Sequence, residues 1–235
     1  MKKSVFAVAV LMAPGLAFAT PHGARVGIGL STMALGMSGA GASVSAGAVP
    51  ALSLSLTSTP RLGYSRARVR ASISESSGAA HFEQFRIGLT PNPRGGFSPV
   101  ASVGVLDESV QPAAISYQVF NPQTFLVSNV TVTPPRLGVV TGFASAGLRY
   151  QHALSSSLRV RASAAALVGF GGSTTGLPPA ASQGSGMGHQ IGVALVYDPA
   201  SLVRVTVDYS RQSLPVRGYT LTQRDLALRV SCLFF

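Results

Sequence analysis

The chain has 235 residues, with 18 Lys+Arg against 7 Asp+Glu, a single Cys and no Trp; 46% of its residues are apolar and only 11% are charged. It is too apolar for a disordered tail and too poor in Lys and Glu for a coiled coil or helical bundle. One cysteine provides neither a disulfide framework nor a cysteine-rich zinc site. The length fits one domain.

Residues 1–19 read as an export signal. Lys2 and Lys3 form a basic start, Val5 to Leu11 an apolar stretch, and Ala17-Phe18-Ala19 a small-x-small cleavage site. Cleavage there leaves a chain starting at Thr20, with no lipidation cysteine after the site and all 16 remaining basic residues arginine. These arginines are dispersed, without stacking aromatics among them, so nucleic acid is not expected as a partner.

From residue 20 on, period-two alternation recurs and no 3.6-residue period does, which predicts strands throughout. A weak strand is expected over Arg25 to Leu30. Leu52, Leu54 and Leu56 alternate with Ser53, Ser55 and Thr57; Ala67, Val69, Ala71 and Ile73 with Arg66, Arg68 and Arg70; Phe85, Ile87 and Leu89 with Gln84, Arg86 and Gly88. Ala101, Val103 and Val105 oppose Ser102 and Gly104, and Ala144, Ala146, Leu148 and Tyr150 oppose Ser145, Gly147 and Arg149. The clearest strand, Leu158 to Phe170, places Arg159 and Arg161 opposite Leu158, Val160 and Ala162. Three more follow around Ile191 to Tyr197, Val203 to Tyr209 and Leu226 to Phe234.

Connectors alternate between short (58–61, 91–96, 153–157, 198–201) and long (33–47, 74–81, 107–137, 171–187, 213–219). Ten strands with tight turns on one side and long loops on the other predict an all-β, antiparallel up-and-down transmembrane barrel over residues 20–235. A soluble β-sandwich also alternates. Against it, the clearest strands run to 9–13 residues, long enough for a tilted crossing. Aromatics on the apolar face fall at strand ends, as an interfacial girdle requires: Phe97, Tyr150, Tyr197 and Phe234 at the periplasmic rim, Phe170 and Tyr209 at the outer one.

Two resemblances add to this. The terminal Leu233-Phe234-Phe235 resembles the C-terminal recognition signal of bacterial outer-membrane proteins, which implies an outer-membrane location and delivery by the barrel assembly machinery through the last strand. The outward register ends one residue early, at Phe234. Further, His22-Gly23, Gly27, Gly29, the run Met33 to Gly41 and Val49-Pro50-Ala51-Leu52 resemble the N-terminal stretch of the outer-membrane long-chain fatty-acid and hydrocarbon transporters, with Val49 where that family has Asn. The resemblance implies that residues 24–47 form a luminal plug instead of a strand, in which case 113–119 and 125–132 supply additional strands; a central segment that adds two strands to the ten would make 12.

The same face assignment sends Arg66, Arg68, Arg70, Arg86, Arg149, Arg159, Arg161, Arg204 and Arg229 into the lumen against Asp208 and Asp225. Guanidinium pairs bidentately with carboxylate or phosphate, so the expected function is passive transport of small anionic or amphipathic molecules. Two alternatives stay open: arginines that merely fill a narrow barrel, and a non-conducting structural or adhesive barrel presenting loops 107–137 and 171–187. Arg211, Arg217 and Arg224, near the outer rim, suit lipopolysaccharide phosphates. A rim hydrolase would require His81 or His189 with Ser77 or Glu83. His22 and His152 suggest nothing, no metal or cofactor is expected, and Cys232 reads as a small apolar residue on the lipid face.

Overall fold

The computed structural model describes residues 24–39, 42–59, 61–62, 65–76, 80–91, 96–177, 186–200 and 202–234. The side chains of Arg66 and Phe234 and the whole of the export signal expected over 1–19 lie outside the described residues, as do His22, Ser77 and the terminal Phe235. All regular structure among the described residues is β.

Thirteen strands occur among the described residues: β1 (Ala24–Gly39), β2 (Ala42–Ser58), β3 (Arg61–Leu62), β4 (Ser65–Ser76), β5 (Ala80–Pro91), β6 (Gly96–Val110), β7 (Ile115–Asn121), β8 (Leu126–Val132), β9 (Leu137–Ala153), β10 (Leu158–Thr175), β11 (Met187–Tyr197), β12 (Val203–Val216) and β13 (Tyr219–Phe234). Ten of them pair antiparallel in the order β2-β1-β13-β12-β11-β10-β9-β6-β5-β4, and the β2–β4 pairing closes the ring. The minor strand β3 adds only Arg61↔Arg66 and Leu62↔Ser65 to β4. Closure is what a strand architecture needs in lipid, because an open edge leaves N–H and C=O groups with no water to satisfy them.

The ten wall strands coincide with the ten expected from alternation. The luminal plug is not formed: residues 24–39 are hydrogen-bonded to β13 along one edge and to β2 along the other, from Ala24↔Phe234 to Gly39↔Tyr219 and from Arg25↔Thr57 to Gly39↔Ala42. With β1 in the wall, the count stays at ten. Segments 113–119 and 125–132 do contain strands, but β7 and β8 pair with each other in a separate hairpin and leave the barrel wall unchanged.

The strands tilt. A path perpendicular to them passes Ile28, Leu54, Ile73, Phe85, Val105, Gly142 and Phe170, starting near the beginning of β1 and arriving near the far end of β10. Such stagger accompanies barrel closure. Connectors 92–95, 154–157 and 198–202 lie at the end holding Ala24 and Phe234; both long connectors, 111–136 with the β7–β8 hairpin and 176–186, lie at the other, beside the two-residue links 40–41 and 217–218. By the rule for outer-membrane barrels these are the periplasmic and outer ends.

The outer face carries an exposed apolar belt. Leu30 is 67% exposed, Val193 55%, Leu226 56% and Leu228 51%, a pattern a water-soluble surface avoids. The polarity of both faces then reverses near the outer end. Inward positions become Met33, Leu35 and Met37 on β1, Phe82 on β5, Leu106 and Val110 on β6, Val139 and Phe143 on β9, Leu167 on β10, Leu214 and Val216 on β12 and Leu221 on β13, all nearly inaccessible. Outward positions there become Ser38, His81, Glu83, Asp107, Arg211, Thr222 and Arg224. On β1, β5, β6, β12 and β13 the outer collar is therefore built like a soluble barrel, apolar inside and polar outside, whereas β9–β11 keep Val140, Val168, Phe170 and Met187 exposed outward.

This reversal explains a second difference. The expected long connectors 33–47 and 213–219 are mostly strand, since β1 and β2 are separated by residues 40–41 alone and β12 and β13 by Arg217-Gly218. Arg217 (φ 50°) and Gly218 (φ 79°) both occupy the left-handed region, the geometry of a two-residue hairpin turn.

Leu228 sits mid-strand on the lipid face, in register with Leu30 and Val207. We expect Leu228→Arg to destabilise the membrane-inserted barrel by about 2–4 kcal/mol, read as a lowered urea midpoint in vesicles and loss of the heat-modifiable band on a gel.

Candidate functional site

Inside the lower section the wall side chains are mainly Ser, Gly, Thr, Gln and Arg. They enclose a cavity of about 230 Å³ lined by Arg68, Arg70, Arg86, Arg149, Arg161 and Arg229 among others. Short residues make this space. A Cβ added at Gly29 would lie 2.6 Å from Cγ of Arg229, so that glycine provides the bed on which the arginine stem crosses β1.

The arginines fall into two groups. Three are ion-paired. Arg204 binds Asp198 through Nε–Oδ1 (2.6 Å) and Nη2–Oδ2 (3.0 Å), and Arg159 pairs with the same carboxylate at the periplasmic end. Arg229 pairs with Asp208 and, at 3.6 Å, with Asp225. Asp198 is thus a third counter-charge besides Asp208 and Asp225; it stands just past β11, where the sequence shows only a turn. Arg25, on the inward parity of β1, also joins the luminal arginines.

Five others make no ion pair among the described residues. Arg70 donates to Thr57 Oγ1 and Arg149 to Thr90 Oγ1, each at 3.3 Å. Arg68 and Arg161 line the cavity. Arg86 is held differently: its Nη1 donates to Gln190 Oε1 (3.1 Å) and its Nη2 to Gln212 Oε1 (3.0 Å). Gln190 is on β11 and Gln212 on β12, and β5 and β12 stand opposite one another in the ring. This one side chain therefore bridges the bore. Its guanidinium carbon lies 4.9 Å from the Phe143 ring centroid, a cation–π contact that joins the polar chamber to the apolar collar above. Gly104 gives Phe143 room, since a Cβ there would come within 2.7 Å of the ring.

The collar seals the outer side. Within it Glu108 is fully buried, cross-strand from Phe82 and Val139, and neither carboxylate oxygen accepts a hydrogen bond among the described residues. Sequence reading misses Gln190, Gln212, Phe143 and Glu108 as site residues. The available signal was the parity of β6, where Leu106, Glu108 and Val110 continue the inward series begun by Ser102 and Gly104.

Of the aromatics expected at the rims, Phe97 and Tyr150 are in register with rings 4.9 Å apart at the periplasmic end. Tyr197, Phe170 and Tyr209 point outward and are exposed. His81 and His189 are not brought together: they lie on β5 and β11, with β6, β9 and β10 between them. Neither makes a hydrogen bond among the described residues, and no cluster of metal-ligating side chains occurs there. Cys232 is exposed on the apolar outer face of β13.

No family model and no curated protein matches this chain. Solved structures do. The outer membrane protease OmpT from Escherichia coli aligns over 92% of this chain and 98% of its own at 8% identity, with a TM-score of 0.52. An outer membrane channel from Pseudomonas putida F1 aligns over 92% and 97% at 12% identity (TM-score 0.48), and the translocator domain of the autotransporter NalP from Neisseria meningitidis over 97% and 94% at 13% (TM-score 0.43). At such identities the likeness is one of fold: this chain has the fold of the bacterial outer-membrane β-barrels.

A carboxylate without a hydrogen-bond partner in an apolar cluster destabilises the folded state. Glu108→Leu, of similar volume, should stabilise the barrel by about 1–3 kcal/mol, seen as a raised denaturant midpoint.

Proposed function

We propose that this chain is an exported outer-membrane barrel that admits small anionic molecules, including amphipathic carboxylates, into an arginine-lined chamber. One observation carries the reading: five luminal guanidiniums form no ion pair among the described residues and surround a cavity, while the carboxylates of the lower lumen are engaged by three other arginines. A permanently charged, weakly hydrated fork is suited to carboxylate or phosphate oxygens. The cavity is small, so the permeant class is small as well. The apolar collar and the Arg86 bridge close the outer side at rest. Anions bind first, and conduction requires the bridge and the collar side chains packed above it to move.

The test is planar-bilayer recording of the refolded protein. Wild type should show low conductance with anion preference, and Arg70→Gln/Arg149→Gln/Arg161→Gln should shift the reversal potential toward zero. Arg86→Ala should raise conductance several-fold. Cation preference in the wild type would overturn the reading.

A second reading has its own observation. The β7–β8 hairpin stands apart from the wall, and residues 111–135 contain no charged side chain. On one face Ile115↔Val132 and Tyr117↔Val130 form apolar cross-strand pairs; on the other, Ser116 and Thr131 share a hydrogen bond of 2.9 Å, next to Gln118↔Asn129. Isolated two-stranded hairpins are marginal in water, so one that exposes Ile115, Tyr117, Phe120, Leu126 and Val127 suits presentation to a partner. Deleting residues 112–135 should then abolish surface binding in a cell-adhesion assay and leave the conductance unchanged.

A further inference from the structure

The outward face of β12–β13 carries a like-charged pair. Arg211 and Arg224 are direct cross-strand partners, both exposed. Opposed side chains of this kind start from Cβ atoms about 4.5–5.5 Å apart, and like charges placed so are destabilising. Neither makes an ion pair or hydrogen bond among the described residues. The flanking partners in the same row, Ile191 on β11 and Ala34 on β1, offer no charge.

The position of the pair is as informative as its charge. The row below is Val193, Tyr209 and Leu226, all well exposed and part of the apolar belt. The row above is His189, Ser213 and Thr222. Arg211 and Arg224 thus stand at the first row of the polar collar, where hydrocarbon gives way to headgroups. The outward acids of the collar, Glu75, Glu83 and Asp107, lie on β4, β5 and β6, away from β12 and β13 around the ring. A site with two rigidly registered guanidiniums, no acid beside them and acyl-chain contact immediately below is complementary to a phosphorylated lipid.

We propose that Arg211 and Arg224 form a two-guanidinium clamp for a phosphate group of an outer-leaflet glycolipid, with Tyr209 and Leu226 against its acyl chains. The phosphate offers several acceptor oxygens, enough to bridge both forks, and removes the repulsion between them. Arg217, at the hairpin tip farther from the membrane, takes no part.

The probe is bisphosphorylated lipid A titrated into the refolded full chain in detergent, compared with lipid A stripped of phosphate. Binding is read by native mass spectrometry and by the shift in thermal midpoint. The phosphorylated lipid should bind at least tenfold more tightly. Arg211→Gln/Arg224→Gln should abolish that preference, whereas Arg217→Gln should keep it, each variant being checked for the heat-modifiable folded band. The wild-type comparison of the two lipids needs no variant and stands alone if the double substitution impairs folding. Equal binding of the two lipids would overturn the clamp, as would an unchanged preference in the folded double variant. Inorganic phosphate competing as well as the lipid at equal concentration would overturn the lipid assignment. None of these outcomes depends on whether the lumen conducts.

Discussion

Every backbone N–H and C=O in the membrane-embedded wall must find its partner in a neighbouring strand, and this requirement governs the rest of the structure. It forces the ring to close, closure forces the stagger, and the stagger fixes which side chains meet inside. The ladders are uneven. β1 and β13 pair from end to end, whereas β2 and β4 pair only from Leu52↔Glu75 to Ser58↔Val69, with Ser76 Oγ extending the seam by a 2.6 Å bond to the Pro50 carbonyl. The wall is most firmly joined where the two ends of the described chain meet, and least where β2 departs toward the collar.

Closure also explains how one interior holds two environments. Side chains of the lower lumen project into an arginine-lined cavity, where three guanidiniums meet the carboxylates of Asp198, Asp208 and Asp225. Higher up the same inward parity is apolar, and burying each large side chain contributes about 1.5–3 kcal/mol. Arg86 lies at the join, with its head among amide oxygens and the Phe143 ring beside it.

The wall was legible in the sequence because an apolar outside and a polar inside impose strict alternation, which Leu158 to Phe170 and Leu226 to Val230 show most clearly. The upper strands were less legible for the same reason. Met33, Leu35 and Met37 alternate as regularly as Val26, Ile28 and Leu30, but on the opposite parity, so a reading that looks for apolar residues outward ends the strand where the membrane ends. The glycine-rich look of residues 27–41, which suggests a plug, has a local cause instead: Gly29 clears space for Arg229, and a short side chain at that inward position is what the lumen requires. The arginine face followed from parity alone. Its division into ion-paired and unpaired groups did not, because Asp198 lies in a turn, and the Arg86 bridge joins residues more than 100 positions apart in the chain.

The meeting of β1 with β13 has a consequence for biogenesis. The first wall strand must wait for the last, which emerges from the ribosome nearly two hundred residues later. Until the two meet, β1 keeps an unsatisfied border along its whole length, and that border invites pairing with another chain. Productive assembly of this protein is therefore a race between sealing its own seam and templating on a neighbour.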